Sequence, residues 1–123
     1  MSERTRPKPR RAADHSHGAR VPRYGAEALE QAGRLFKSLG DSERLQILEL
    51  LAAGESCVSE LAESTRAELS TVSQRLRLLR TEGLVHRRRE GKHIFYSLSD
   101  RHVAGLIQNA LEHIDEARPP RKR

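Results

Sequence analysis

The sequence predicts a mainly α-helical fold with a β-hairpin wing, a winged helix-turn-helix. Two observations predict it. A short helical segment, a polar break and a longer amphipathic segment succeed one another over residues 57–82, and a basic, glycine-centred hairpin signal follows at once. Two further helical segments precede this unit and one follows it, which leaves room for a single domain.

The first helix is expected over roughly 25–38, where Ala28, Ala32, Leu35 and Leu39 fall on one stripe before Gly40. Asp41 and Ser42 can cap the second, in which Leu45, Leu48 and Leu51 recur at helical spacing until Gly54. Residues 57–64 (CVSELAES) form a short third helix with Val58 and Leu61 inward, and the break spans Thr65–Glu68. The fourth helix runs from about Leu69 to Glu82, with Gly83 as its stop. Its Leu69, Val72, Leu76 and Leu79 share one apolar quadrant that must pack onto the body. Strand-like runs at Leu84–Arg89 and His93–Leu98 flank the turn Glu90-Gly91-Lys92, with Phe95 expected in the core. Asp100 can cap a last helix reaching about Ala117, whose Val103, Leu106, Ala110 and Ile114 offer an apolar seam.

Composition points to a dimer. Aromatic residues are 3% of the 123 and Trp is absent, so a lone subunit would bury a thin core. The net charge of +6 is unevenly spread: residues 1–24 carry +5 and 118–123 carry +4, leaving −3 for 25–117. Residues 1–24, with three prolines and few apolar side chains, read as a disordered basic arm. Residues 25–118 then form the domain and 119–123 a basic tail. Cys57 is the single cysteine, which rules out an intrachain disulfide. No apolar stretch approaches a membrane span or a secretory leader, so a cytoplasmic location is expected.

The fourth helix and the hairpin form the expected DNA-reading surface. Opposite the apolar quadrant lie Ser70, Thr71, Gln74, Arg77 and Thr81, and Ser73 and Arg75 join the DNA-facing set. Short hydroxyls, an amide and guanidinium groups are what base edges and phosphates in a major groove accept. On the hairpin, Arg87, Arg88, Arg89, Lys92 and His93 flank the glycine turn, suited to the DNA backbone or minor groove. Within the acidic body this positive cluster fits a polyanion, although a merely solvated basic face has the same composition.

The last helix holds a second constellation. His113 and Glu116 stand at i, i+3 near its end, while Asp100 and His102 lie together at its start. His102 and His113 point nearly the same way but are separated by roughly 16 Å of helical rise. One ion therefore cannot take both pairs from one helix. Two helices running antiparallel would pair Asp100/His102 of one subunit with His113/Glu116 of the other, giving two equivalent sites by two-fold symmetry. Two nitrogens and two carboxylate oxygens suit tetrahedral Zn(II). Read blandly, Asp100 is only a helix cap, and His and Glu are common on wet helix faces.

The segments LFKSLGDSERLQILELL, ESCVSELAE and LSTVSQRLRLLRTEGLVHRRREGKHIFYSLSD resemble the ArsR/SmtB family of metal-sensing repressors over about residues 29–117. DRHVAGLIQNALEHIDEA is similar to the zinc-sensing branch, whose site on the last helix uses Asp-x-His and His-x-x-Glu/His pairs. The resemblance implies a homodimer through the first and last helices that binds an inverted-repeat DNA operator in its apo form. Zn(II) or a similar divalent ion such as Co(II) would release it and so control metal efflux or sequestration genes. It also implies a route in which the non-liganding nitrogen of His113 bonds a backbone carbonyl near Gly83. Some relatives have a second site, which here would draw on Cys57 and Glu60 with His15 or His17. The arm lacks the cysteine several of them use, and arsenic sensing would call for more than one thiolate. Gln74 stands where many members carry His, which bears on operator sequence rather than on DNA binding.

Other readings remain at this point. One is a winged-helix repressor that senses a non-metal signal. Another is a general basic nucleic-acid-binding protein driven by its arms. Catalysis is disfavoured because no nucleophile is set beside a base, and four protein ligands leave a metal no open position for water. Neither a small-molecule substrate nor a membrane partner is expected.

Overall fold

The computed structural model describes residues 18–119. The expected arm lies largely outside these residues, with His15 and His17, and so does all but one residue of the tail. The seven elements are α1 (Ala26–Leu39), α2 (Ser42–Ala53), α3 (Val58–Thr65), α4 (Leu69–Thr81), β1 (Val85–Glu90), β2 (His93–Leu98) and α5 (Arg101–Ala117). Residues 18–25 precede α1 with neither helix nor strand. No helix among the described residues is long and apolar enough to cross a membrane.

Each boundary has a local cause. Asp41 caps α2 by accepting the Arg44 N–H at 2.9 Å, and the Arg44 guanidinium donates to the Ser38 carbonyl at 2.7 Å, binding the end of α1 to α2. α4 ends in a Schellman turn: Leu84 N–H reaches the Leu79 carbonyl at 2.8 Å and Gly83 N–H the Arg80 carbonyl at 3.0 Å. Gly83 adopts φ +78°, the left-handed conformation this turn needs. The same turn closes α3, with Ala67 N–H on the Ala62 carbonyl at 3.1 Å and Arg66 N–H on the Glu63 carbonyl at 3.3 Å. There the left-handed residue is Arg66, at φ +59°.

The core gathers Ile47, Leu48 and Leu51 of α2, Leu61 and Ala62 of α3, and Val72, Leu76 and Leu79 of α4. Leu84, Val85 and Tyr96 of the hairpin region and Val103 and Ile107 of α5 complete it. β1 and β2 pair antiparallel, Val85 opposite Leu98 through Glu90 opposite His93. Ser56 adds a bridge to β2, donating to the Tyr96 carbonyl at 3.1 Å and accepting its N–H at 2.8 Å. This bridge seats the hairpin on the α2–α3 connection.

Packing corrects four expectations. Leu69, the first residue of α4, is 55% exposed rather than part of the α4 core face, which begins at Val72. β1 begins at Val85 and ends at Glu90, since Leu84 is taken by the Schellman turn. Strand alternation places Ile94, Tyr96 and Leu98 on the core side, so Tyr96 rather than Phe95 enters the core. Phe95 lies on the other face, half-buried beneath the Arg88 guanidinium at 4.9 Å. Finally, Val103 packs inward with Ile107, which leaves Leu106, Ala110 and Ile114 of the expected seam.

Arg88 also donates to both oxygens of Glu55 at 2.8 and 2.9 Å and to Glu90 at 3.0 Å. The hydrogen bonds from Arg88 hold the Glu55 carboxyl below the ordinary carboxylate range. A carboxyl lowered in this way contributes stability at neutral pH that is lost as pH falls through its lowered value. Acidification should therefore loosen the hairpin, seen as faster amide exchange in β1 and β2, and Glu55→Gln should abolish that pH dependence. The pair is half-exposed, so the accompanying change in melting temperature should be small. Arg66→Gly removes the left-handed strain and should stabilise the domain by about 0.5–1 kcal/mol, a rise of a few degrees in melting temperature.

Candidate DNA interface and metal-ligating residues

Burial of Val72, Leu76 and Leu79 fixes the rotation of α4 about its axis. Ser70, Gln74 and Arg77 are consequently exposed, while Thr71 and Ser73 are half-buried at the margins of the same face. Arg75 turns back to the body, where it meets Glu43 of α2 at 2.7 Å. α3 leads into α4 through the turn at Arg66, the arrangement of a helix-turn-helix, and the hairpin stands beside the C-terminal half of α4.

The hairpin divides its cations between two faces. Arg87 and Arg89 lie on the same side as their cross-strand partners Tyr96 and Ile94, whereas Arg88 lies with Phe95. Arg87, Arg89, Lys92 and His93 are exposed, and the His93 ring lies 6.2 Å from that of Phe95. Arg88, expected among the DNA contacts, is bound to Glu55 and Glu90. Arg75 and Arg88 thus hold the scaffold together, and the remaining expected residues present free polar ends.

On α5, Asp100 is an N-cap: its Oδ1 accepts the Val103 N–H at 3.0 Å. His102 is 93% exposed, and its Nδ1 stands 3.7 Å from the same Asp100 oxygen, too far for a hydrogen bond. The cap uses one carboxylate oxygen and leaves the other unengaged. His113 and Glu116 are exposed near the far end of the 17-residue helix. Within one protomer no three His, Cys, Asp or Glu side chains converge among the described residues. The helix therefore keeps the two ligand pairs apart.

Cys57 and Glu60 do come together, through the start of α3: the Cys57 N–H donates to Glu60 Oε1 at 3.0 Å, and Cys57 Sγ lies 3.2 Å from the Ser59 hydroxyl. Glu60 already serves there as a helix-capping acceptor.

Three residues outside the expected contact and ligand sets matter. The Ser99 hydroxyl donates to the Gly83 carbonyl at 2.7 Å and its N–H to the Leu84 carbonyl at 3.0 Å, joining the end of α4 to the start of α5. Arg80 and Tyr96 face the recess between α4 and the hairpin. Nothing local marks Ser99. Arg80 lies in the last turn of α4, where a cation is ordinary, and Tyr96 is found only once the strand register is known.

The family model for bacterial regulatory proteins of the arsR family matches residues 41–87. A transcriptional repressor SmtB homolog of Synechocystis is 39% identical over 91 residues, 74% of this chain and 69% of the relative. A cadmium resistance transcriptional regulatory protein CadC homolog of Staphylococcus aureus is 40% identical over 81 residues, 65% of this chain and 67% of its own. Among solved structures, the homodimeric winged helix-turn-helix DNA-binding domain of Mb0332 from Mycobacterium bovis, a possible ArsR-family regulator, is 36% identical. It aligns with a TM-score of 0.74 and covers 86% of this chain and 98% of that one. The likeness spans helices, turn and wing alike: this chain is a winged helix-turn-helix transcriptional regulator, not an enzyme, and belongs to the ArsR/SmtB family.

Proposed function

We propose that the chain is a metal-responsive repressor that binds an inverted-repeat operator as an apo homodimer and is released by Zn(II) or a similar divalent ion. Its targets would be genes for metal efflux or sequestration. Ser70, Thr71, Ser73, Gln74 and Arg77 meet base edges and phosphates at the major groove, and Arg87, Arg89, Lys92 and His93 meet the backbone beside it. The homodimeric relative and the names of the SmtB and CadC homologs support this reading.

The observation that carries it is the pair of exposed ligand sets at opposite ends of α5, with the apolar Ala110 and Ile114 exposed on the same helix. Antiparallel packing of α5 on its partner, with α1 alongside, covers that strip and brings Asp100 and His102 to the partner's His113 and Glu116. The donor set fits: two imidazoles and two carboxylates can form a tetrahedral N/O environment for Zn(II), and among the described residues neither histidine is held in a hydrogen bond, His102 having only the 3.7 Å approach to Asp100. When bound, the ion supplies a cross-link between subunits. Asp100 and His102 sit directly after Ser99, whose bonds reach the end of α4, so a change in the pose of α5 passes to the DNA-reading helix. By linkage DNA and metal weaken one another equally.

Zinc should weaken operator binding by fluorescence anisotropy roughly 5–150-fold, the usual range of allosteric coupling. His102→Ala should keep apo binding and lose the release; release that survives this substitution would overturn the assignment. Mixing His102→Ala with His113→Ala subunits tests sharing across the dimer, because a mixed dimer regains one intact site. Tetrahedral Co(II) absorption should return on mixing, and its absence would place the ligands elsewhere. Because imidazole must be neutral to coordinate, metal affinity should fall on acidification, read by zinc titration at stepped pH.

A further inference from the structure

A recess of about 190 Å³ opens between α4 and the hairpin, lined by Ser73, Arg77, Arg80, Arg87 and Tyr96. Three guanidinium groups, an aliphatic hydroxyl and a phenol surround it, and no carboxylate does. Ser73, Arg77 and Arg80 recur at i, i+4 and i+7 along the wing side of α4, while Arg87 and Tyr96 oppose each other across the hairpin. Two elements thus aim one chemistry at one place.

Two features separate this recess from ordinary basic surface. The chain pairs several of its other arginines internally: Arg34 with Glu82, Arg75 with Glu43, Arg88 with Glu55 and Glu90. Arg77, Arg80 and Arg87 have no ion pair among the described residues, although they crowd together. Tyr96 is the second feature. It is only 9% exposed, and its backbone is satisfied by Ser56, yet its hydroxyl has no hydrogen-bond partner among the described residues. A phenol hydroxyl that faces an open recess without a protein partner, beside three unpaired cations, is placed to donate to an anionic ligand there.

We infer that the recess is a seat for one phosphate group, filled by a backbone phosphate of bound DNA. The arginines supply charge, and the Tyr96 and Ser73 hydroxyls donate hydrogen bonds to its oxygens. The recess has room for the five heavy atoms of a phosphate group. The choice of DNA as source rests on the DNA-binding reading above; the preference for phosphate does not. Seated there, the phosphate sets the register of α4 on the duplex without reading sequence.

The test uses the full chain with operator and random-sequence duplexes across a salt series, together with inorganic phosphate titrated into the free protein. Tyr96→Phe removes one oxygen and should leave the melting temperature unchanged or higher. It should weaken both duplexes by a similar factor, roughly tenfold for a lost hydrogen bond to a charged group. Arg87→Gln should reduce the salt slope by about one, as expected for one phosphate contact. Arg89→Gln, on the same strand but outside the recess, controls for general charge loss and should leave the Tyr96→Phe factor intact. Inorganic phosphate should shift the Arg87 Nε–H and Tyr96 ring resonances. Full duplex affinity in Tyr96→Phe with those shifts present would overturn the DNA assignment in favour of a free anion. Full affinity with no shifts would overturn the seat itself. A wild-type chain that shows the shifts but binds no duplex would instead overturn the DNA-binding reading.

Discussion

The structure depends on one constraint, the burial of Val72, Leu76 and Leu79 on a single side of α4. A helix has no freedom to rotate once such a stripe is packed, so every other side chain on it acquires a direction. Arg75 is sent toward α2, Gln74 outward, and Ser73, Arg77 and Arg80 toward the hairpin. The same burial sets where α4 must stop. The Schellman turn at Gly83 then delivers Leu84 into the core and starts β1 at the angle that lays the wing against the helix.

Electrostatics act as a sorting device on this scaffold. The sequence between residues 75 and 92 is rich in arginine, but its members have different partners. Arg75 and Arg88 meet carboxylates from α2 and from the connection after it, and these pairs link elements rather than waiting for a ligand. Alternation along β1 explains the split among three consecutive arginines: Arg88 is turned to Phe95 and Glu55, while Arg87 and Arg89 are turned to the other face. What is left unpaired among the described residues forms a positive surface suited to a polyanion.

Communication between the two ends of the proposed sensor has a short hydrogen-bonded path. Ser99 bonds the carbonyls of Gly83 and Leu84, and the next residue, Asp100, begins α5 as its cap. The residue before the α5 cap is thus tied to the turn that follows α4, so the two helices are linked at their facing ends. Two bistable arrangements of a dimer are what such a link would couple to DNA affinity.

The sequence by itself determined the order and type of all seven elements, because the apolar spacing, the caps at Asp41 and Asp100 and the glycines at 83 and 91 act locally. It also marked the proposed ligand pairs on α5 and showed, from helical rise alone, that one helix cannot unite them. Only the tertiary structure decided which arginines are free, that Tyr96 rather than Phe95 is buried, and that Leu69 is exposed while Val103 is not. These depend on contacts between residues far apart in the chain, such as Glu55 with Arg88 and Ser56 with Tyr96. Periodicity reports which face a residue shares, and it carries no record of what the fold brings to that face.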